Sequence, residues 1–116
     1  MNSVNLIGRL TTDPASRSVT TEAGERTVTT LALAVPPERG RDGAPCYIDV
    51  EVWGSPAEAC ARYLTKGRQV GVAGRLGLNR WTADDGTNRR AHRVVASAVE
   101  FLERPPAESP SGATAA

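Results

Sequence analysis

The sequence predicts an all-β fold: a five-stranded Greek-key barrel with one α-helix between its third and fourth strands, and a disordered C-terminal tail. Three observations carry this. Apolar and polar residues alternate along most of the chain, the pattern of strands with one face on a core. A single segment, SPAEACARYLTKG, has helical spacing and helix-boundary residues. From residue 103 the composition turns to Pro, Ala, Ser and Gly, too poor in apolar side chains to fold. The predicted organisation is one domain over residues 1–102 and a short tail over residues 103–116.

The first strand is SVNLIGRLT, in which Val4, Leu6 and Leu10 alternate with Gly8 in register between them. A Gly there suits a sharp bend or a close backbone approach, as in small barrels. Asp13-Pro14 punctuates the chain. Residues 15–30 read as a hairpin arm, with a turn at Glu22-Ala23-Gly24-Glu25, leading into the long strand RTVTTLALAV with Leu31, Leu33 and Val35 inward. Pro36 and Pro37 end that strand, and residues 36–45 read as a mobile loop carrying Arg39 and Arg41.

The third strand, YIDVEVWG, sorts into two faces: Ile48, Val50 and Val52 on one, Tyr47, Asp49, Glu51 and Trp53 on the other. The helix follows at once. Ser55 is the expected N-cap, Pro56 suits the first helical position, and Glu58 completes a capping box. Ala57, Cys60, Ala61 and Leu64 share its apolar face, and Gly67 closes it after Lys66. The fourth strand, RQVGVAGRLGLNR, places Val70, Val72, Gly74, Leu76 and Leu78 on one side. A hairpin turn at Asp85-Gly86 leads to a last strand from about residue 91 to 102. This order of five strands and one helix is that of the OB-fold.

Composition excludes several classes. A net charge of +1 leaves any basic footprint local. No apolar run approaches a membrane span or signal-peptide core, so a cytoplasmic protein with reduced thiols is expected. One histidine and two cysteines without a Cys-x-x-Cys pair offer no zinc site, so neither metal nor cofactor is expected.

The wet face of the third strand is the unusual feature. Two of the chain's five aromatic residues, Tyr47 and Trp53, project where water is expected, and Trp81 follows on the next long strand. Rings on a wet face suit base stacking; covering a barrel end or a subunit contact is the plainer alternative. Arg75, Arg80, Arg89, Arg90 and Arg93 surround Trp81, against Asp84 and Asp85 in the turn. A guanidinium fork fits phosphate, and a charged groove with interleaved rings is the recipe for gripping single strands. Asp49 and Glu51 lie among the rings and repel phosphate; each calls for an arginine neighbour, with Arg9 or Arg75 as candidates. Read as a metal-binding carboxylate pair they have no third ligand, and Asp84 and Asp85 are ordinary turn residues, so catalysis is not expected. Cys60 reads as structural, on the helix's buried face, and Cys46 as exposed.

NLIGRLTTDP, YIDVEVWGSPAEACARYLTKGRQVGVAGRL and NRWTADDG together resemble the bacterial single-stranded DNA-binding proteins of the homo-oligomeric OB-fold type, over roughly residues 2–102. The resemblance implies that Tyr47, Trp53 and Trp81 stack bases, and that the protein is a non-enzymatic, sequence-tolerant homotetramer on single-stranded DNA. It further implies a cytoplasmic, nucleoid-associated role in replication, repair or recombination. Arg9, Arg75, Arg80, Arg89 and Arg90 are the expected phosphate contacts, with Arg39 and Arg41 in the loop. Two departures accompany it. The loop PPERGRDGAPC lacks the aromatic often found there, and Arg39 and Arg41 take its place. The chain stops at SPSGATAA with Glu108 as its last carboxylate residue, so it resembles a short, tail-less paralogue without the acidic tip that recruits replication and repair enzymes. The alternative is an oligomeric OB-fold adaptor acting through protein contacts with weak DNA binding.

Overall fold

The computed structural model describes residues 1–37 and 43–102. Its elements are β1 (Val4–Leu10), β2 (Ala15–Thr21), β3 (Gly24–Val35), β4 (Cys46–Trp53), α1 (Ser55–Tyr63), β5 (Gln69–Thr82) and β6 (Asn88–Phe101). The sheet order is β1-β5-β6-β4-β3-β2, and a further pairing of β1 with β3 closes it. Five strands therefore form an OB barrel, with α1 between the third and fourth of them. The hairpin arm expected before the second long strand is β2, an edge strand that among the described residues pairs only with β3. Every pairing is antiparallel except that of β4 with β6.

The inward side chains of these strands supply the core: Leu10, Leu31, Leu33, Val50, Val52, Val70, Val72 and Val94 are buried. Ala57 and Cys60 of α1 and Leu64 just beyond its end join the same cluster, with Val4, Leu6 and Ile48 packed against it. Thr29 is buried among them because its hydroxyl donates to the Ala57 carbonyl oxygen at 2.7 Å, tying the helix's first turn to β3.

Closure depends on two glycines. At Gly8, β1 passes from β5 to β3, and a Cβ there would sit 2.7 Å from the Ala34 carbonyl oxygen. At Gly74 it would sit 2.2 Å from the Val95 carbonyl oxygen. Gly74 adjoins a bulge in which β6 carries one extra residue, Ser97, whose hydroxyl donates to the Ala73 carbonyl oxygen at 3.0 Å.

Three local expectations are corrected. Gly54, with φ +79°, is the helix N-cap; the chain turns there directly from β4, Ser55 is already helical, and no side chain caps the helix. The capping box is thus not formed. Leu64 in extended conformation ends the helix, so Gly67 lies in the turn beyond it, and Ala61 is exposed. Leu76 and Leu78 stay exposed although they continue the Val70–Val72 side: the core reaches β6 only as far as Val94, opposite Leu76, and the β5–β6 ribbon runs on past the short pairing of β6 with β4.

Candidate nucleic-acid interface

Parity and register position the candidate residues. The odd-numbered side chains of β4 leave the core: Tyr47 is 68% exposed and Asp49 exposed, while Glu51 and Trp53 are half-buried. Cross-strand pairing extends this face. Ala34 of β3 stands opposite both Tyr47 and Arg9 of β1. Asp49 stands opposite Arg93 of β6, which stands opposite Gly77 of β5; Glu51 likewise leads through Val95 to Arg75. Farther along the ribbon Trp81, 50% exposed, pairs with Arg89 on this same side. Arg80 pairs with Arg90 on the opposite side. All four border an open groove of about 520 Å³ at the ribbon's end. β4 and β6 pair over only three residues, and Tyr47 and Asp49 on one and Ala91 and His92 on the other border a cleft of about 230 Å³.

The structure thus brings Tyr47, Trp53, Trp81, Arg9, Arg75 and Arg89 to one outer surface and sets Arg80 and Arg90 behind the ribbon. Arg39 and Arg41 lie outside the described residues. Trp53 has an apolar seat: it stands opposite Val28, which projects from the outer side of β3, lies outside the core cluster and yet is 0% exposed.

The partner of Glu51 is neither Arg9 nor Arg75 but Arg93. Arg93 Nε lies 3.1 Å from Glu51 Oε1, with the two side chains 24% and 16% exposed. The N–H is not aligned as a hydrogen bond, but Coulomb attraction at this distance does not need alignment. Arg93 Nη1 donates to Asn79 Oδ1 on β5. Sequence order hides this pairing because it depends on the parallel register of β4 with β6. Arg9 donates from Nη1 to the Gly67 carbonyl oxygen at 3.0 Å. Among the described residues Arg75, Arg80 and Arg90 have neither a hydrogen-bond partner through their side chains nor an ion pair.

At the ribbon's tip, Gly86 takes φ +86° and Asp85 Oδ1 accepts from the Thr87 hydroxyl at 2.6 Å and the Thr87 N–H at 3.0 Å. These bonds hold the Asp85 carboxyl below its ordinary pKa. Arg89 Nε donates to Thr87 Oγ1 at 3.1 Å, and Arg89 Nη2 lies 3.7 Å from Asp85 Oδ2. The tip is therefore ordered through its own side chains beside Trp81. Cys46 is exposed, Cys60 is buried, and both are free. Among the described residues no cluster of three or more His, Cys, Asp or Glu could hold a metal ion, and no helix is long and apolar enough to cross a membrane.

A closed five-strand barrel with rings and arginines on one outer surface defines an OB-fold of the oligonucleotide-binding class. Residues 1–102 match the single-strand binding protein family, and the chain belongs to that family. It is 44% identical over 105 residues to a single-stranded DNA-binding protein of Clostridium tetani, covering 89% of this chain and 71% of that protein. Similarity to single-stranded DNA-binding protein 1 of Clostridium acetobutylicum is 39% over 105 residues, covering 89% and 94%. A single-stranded DNA-binding protein of Thermotoga maritima is 37% identical over 112 residues, covering 95% and 79%.

Proposed function

We propose that this protein binds single-stranded DNA without sequence preference, by stacking bases on Tyr47, Trp53 and Trp81 and contacting phosphates through Arg9, Arg75 and Arg89. Arg80 and Arg90 reach the strand only where it wraps the ribbon's edge. The observation that carries this reading is the shared outer surface of the three rings, two of them half-exposed or more, on a barrel of this family. Binding, not catalysis, is the activity. Such a protein acts wherever chromosomal single strands are exposed, in replication, repair or recombination, in the nucleoid of the cytoplasm.

A homo-oligomer, specifically a tetramer, completes the proposal. Ile7 and Leu102 are exposed beside Gly71 and Ala73 on the outer face of β1 and β5, around an apolar cleft of about 570 Å³ that none of the three rings lines. Covering that cleft with a second copy leaves Tyr47, Trp53 and Trp81 free. Light scattering on the purified chain checks the stoichiometry.

Tryptophan fluorescence tests the central claim. Oligo-dT should quench it, duplex DNA should not, and affinity should fall as salt rises, through counterion release. Absence of quenching and of binding at low salt would overturn the reading and favour an adaptor that works through protein contacts.

A further inference from the structure

We propose that Arg93 is a base-stacking platform in its own right, its guanidinium tied flat against the sheet between Tyr47 and Trp53. The inference rests on the single-strand reading above. Tyr47 and Trp53 are six residues apart on β4, a gap of roughly 20 Å at strand rise. The side chains between them on β4's outer side are carboxylates, Asp49 and Glu51, which no base or phosphate favours. Arg93 stands on the neighbouring strand within this gap, in register with Asp49.

Its geometry is that of a platform. One edge of the guanidinium meets Glu51 and another meets Asn79, from opposite neighbouring strands. Its inner face lies along Gly77, where a Cβ would come within 3.5 Å of Arg93 Cζ and 3.7 Å of Nε. With these edges engaged and the inner face covered, Nε is buried while a quarter of the side chain stays exposed, and the proposed platform is the outer side of the plane beyond Nε. Arginine planes stack on bases much as aromatic rings do, and base stacking tolerates any sequence. Glu51 balances the charge, so Arg93 is not set up as a phosphate clamp. The same pairing makes a carboxylate-bearing strand compatible with a polyanion.

The test compares wild type, Arg93→Lys and Gly77→Val on oligo-dT and on an abasic oligonucleotide of equal length, with salt titrations and thermal melts. Lysine keeps a cation for Glu51 and removes the plane; valine keeps Arg93 and pushes its guanidinium off the strand. Each substitution should weaken oligo-dT binding about five- to twentyfold, at the low end of stacking losses, with an unchanged salt slope. The abasic strand should bind all three proteins equally. Oligo-dT affinity within twofold of wild type in both folded variants would overturn the proposal. So would an equal loss on the abasic strand, which marks a phosphate contact, or a loss that vanishes once melting temperatures are matched, which marks a structural role. If wild type itself fails to bind oligo-dT, the single-strand reading falls, and this proposal with it.

Discussion

Trp53 and Trp81 are the chain's two tryptophans, so replacing either leaves the other as a sole reporter. Trp81→Ala is the cleaner perturbation because the residue sits on the ribbon beyond the core. A tryptophan offers about 200 Å² for contact. Trp81 is 50% exposed, leaving roughly 100 Å² of that area open to a base. At about 25 cal/mol per Å², full coverage contributes about 2.5 kcal/mol, and coverage of one ring face about 1 kcal/mol. The dissociation constant for oligo-dT should therefore rise about 5- to 70-fold. Fluorescence anisotropy of a labelled oligo-dT measures this, while quenching of the remaining Trp53 shows whether the strand still crosses β4. Affinity within twofold of wild type would refute the assignment of Trp81. Trp53→Ala should differ in kind, because removing the ring uncovers Val28: binding and folding stability should both fall.

Other perturbations follow from the same structure. Gly74→Ala should lower the urea midpoint sharply, at a cost of about 3 kcal/mol of stability, because its methyl would meet the Val95 carbonyl and no flexible side chain can yield. Thr29→Val should cost about 1–2 kcal/mol in the same assay, since it removes the donor to the Ala57 carbonyl without changing shape much. Cys46 should be alkylated in the native protein and Cys60, 1% exposed, only on unfolding. Burial pushes the Cys60 thiol up from an ordinary 9.0 to about 11. Below pH 9.0 both folded and unfolded states hold this proton; between 9.0 and about 11 only the unfolded thiol ionises, so stability should fall. The decrease should approach roughly 3 kcal/mol and be absent in Cys60→Ala when the two alkaline denaturation profiles are compared.

The sequence was most informative where a period and a core coincide. Alternation along residues 46–53 identified Val50 and Val52 as buried and the rings as outward, because the second half of that strand lies on the core; Ile48, nearer its start, is only partly buried. The same alternation misled at Leu76 and Leu78: the pattern continues unbroken along β5, while the ribbon leaves the barrel where β6 stops pairing with β4, a point that nothing in the sequence announces. The helix start was displaced by one residue for a related reason. Gly54 both ends a strand and begins a helix, and local propensity favoured Ser55, which has a good capping side chain. Burial of Ala57, Cys60 and Leu64 was legible from helical spacing alone. Arg93 could be seen as one of a run of arginines, but its meeting with Glu51 spans 42 positions, one crossover through α1 and a hairpin. Only the parallel register of β4 with β6 makes them neighbours.

That pairing changes how the surface gains affinity. Of the arginines on the ring-bearing side, Arg93 is matched to Glu51, Arg89 lies close to Asp85, and Arg9 is held at the Gly67 carbonyl. Arg75 alone among them has neither an ion pair nor a side-chain hydrogen bond among the described residues. A surface built this way releases few counterions for its number of arginines, since each carboxylate has already neutralised part of the field a phosphate would feel. On the proposed reading, the rings and the Arg93 plane supply most of the binding energy. Single strands can expose bases to these platforms, whereas a duplex must first unstack them. Discrimination between single and double strands thus follows from the same arrangement that blunts the charge.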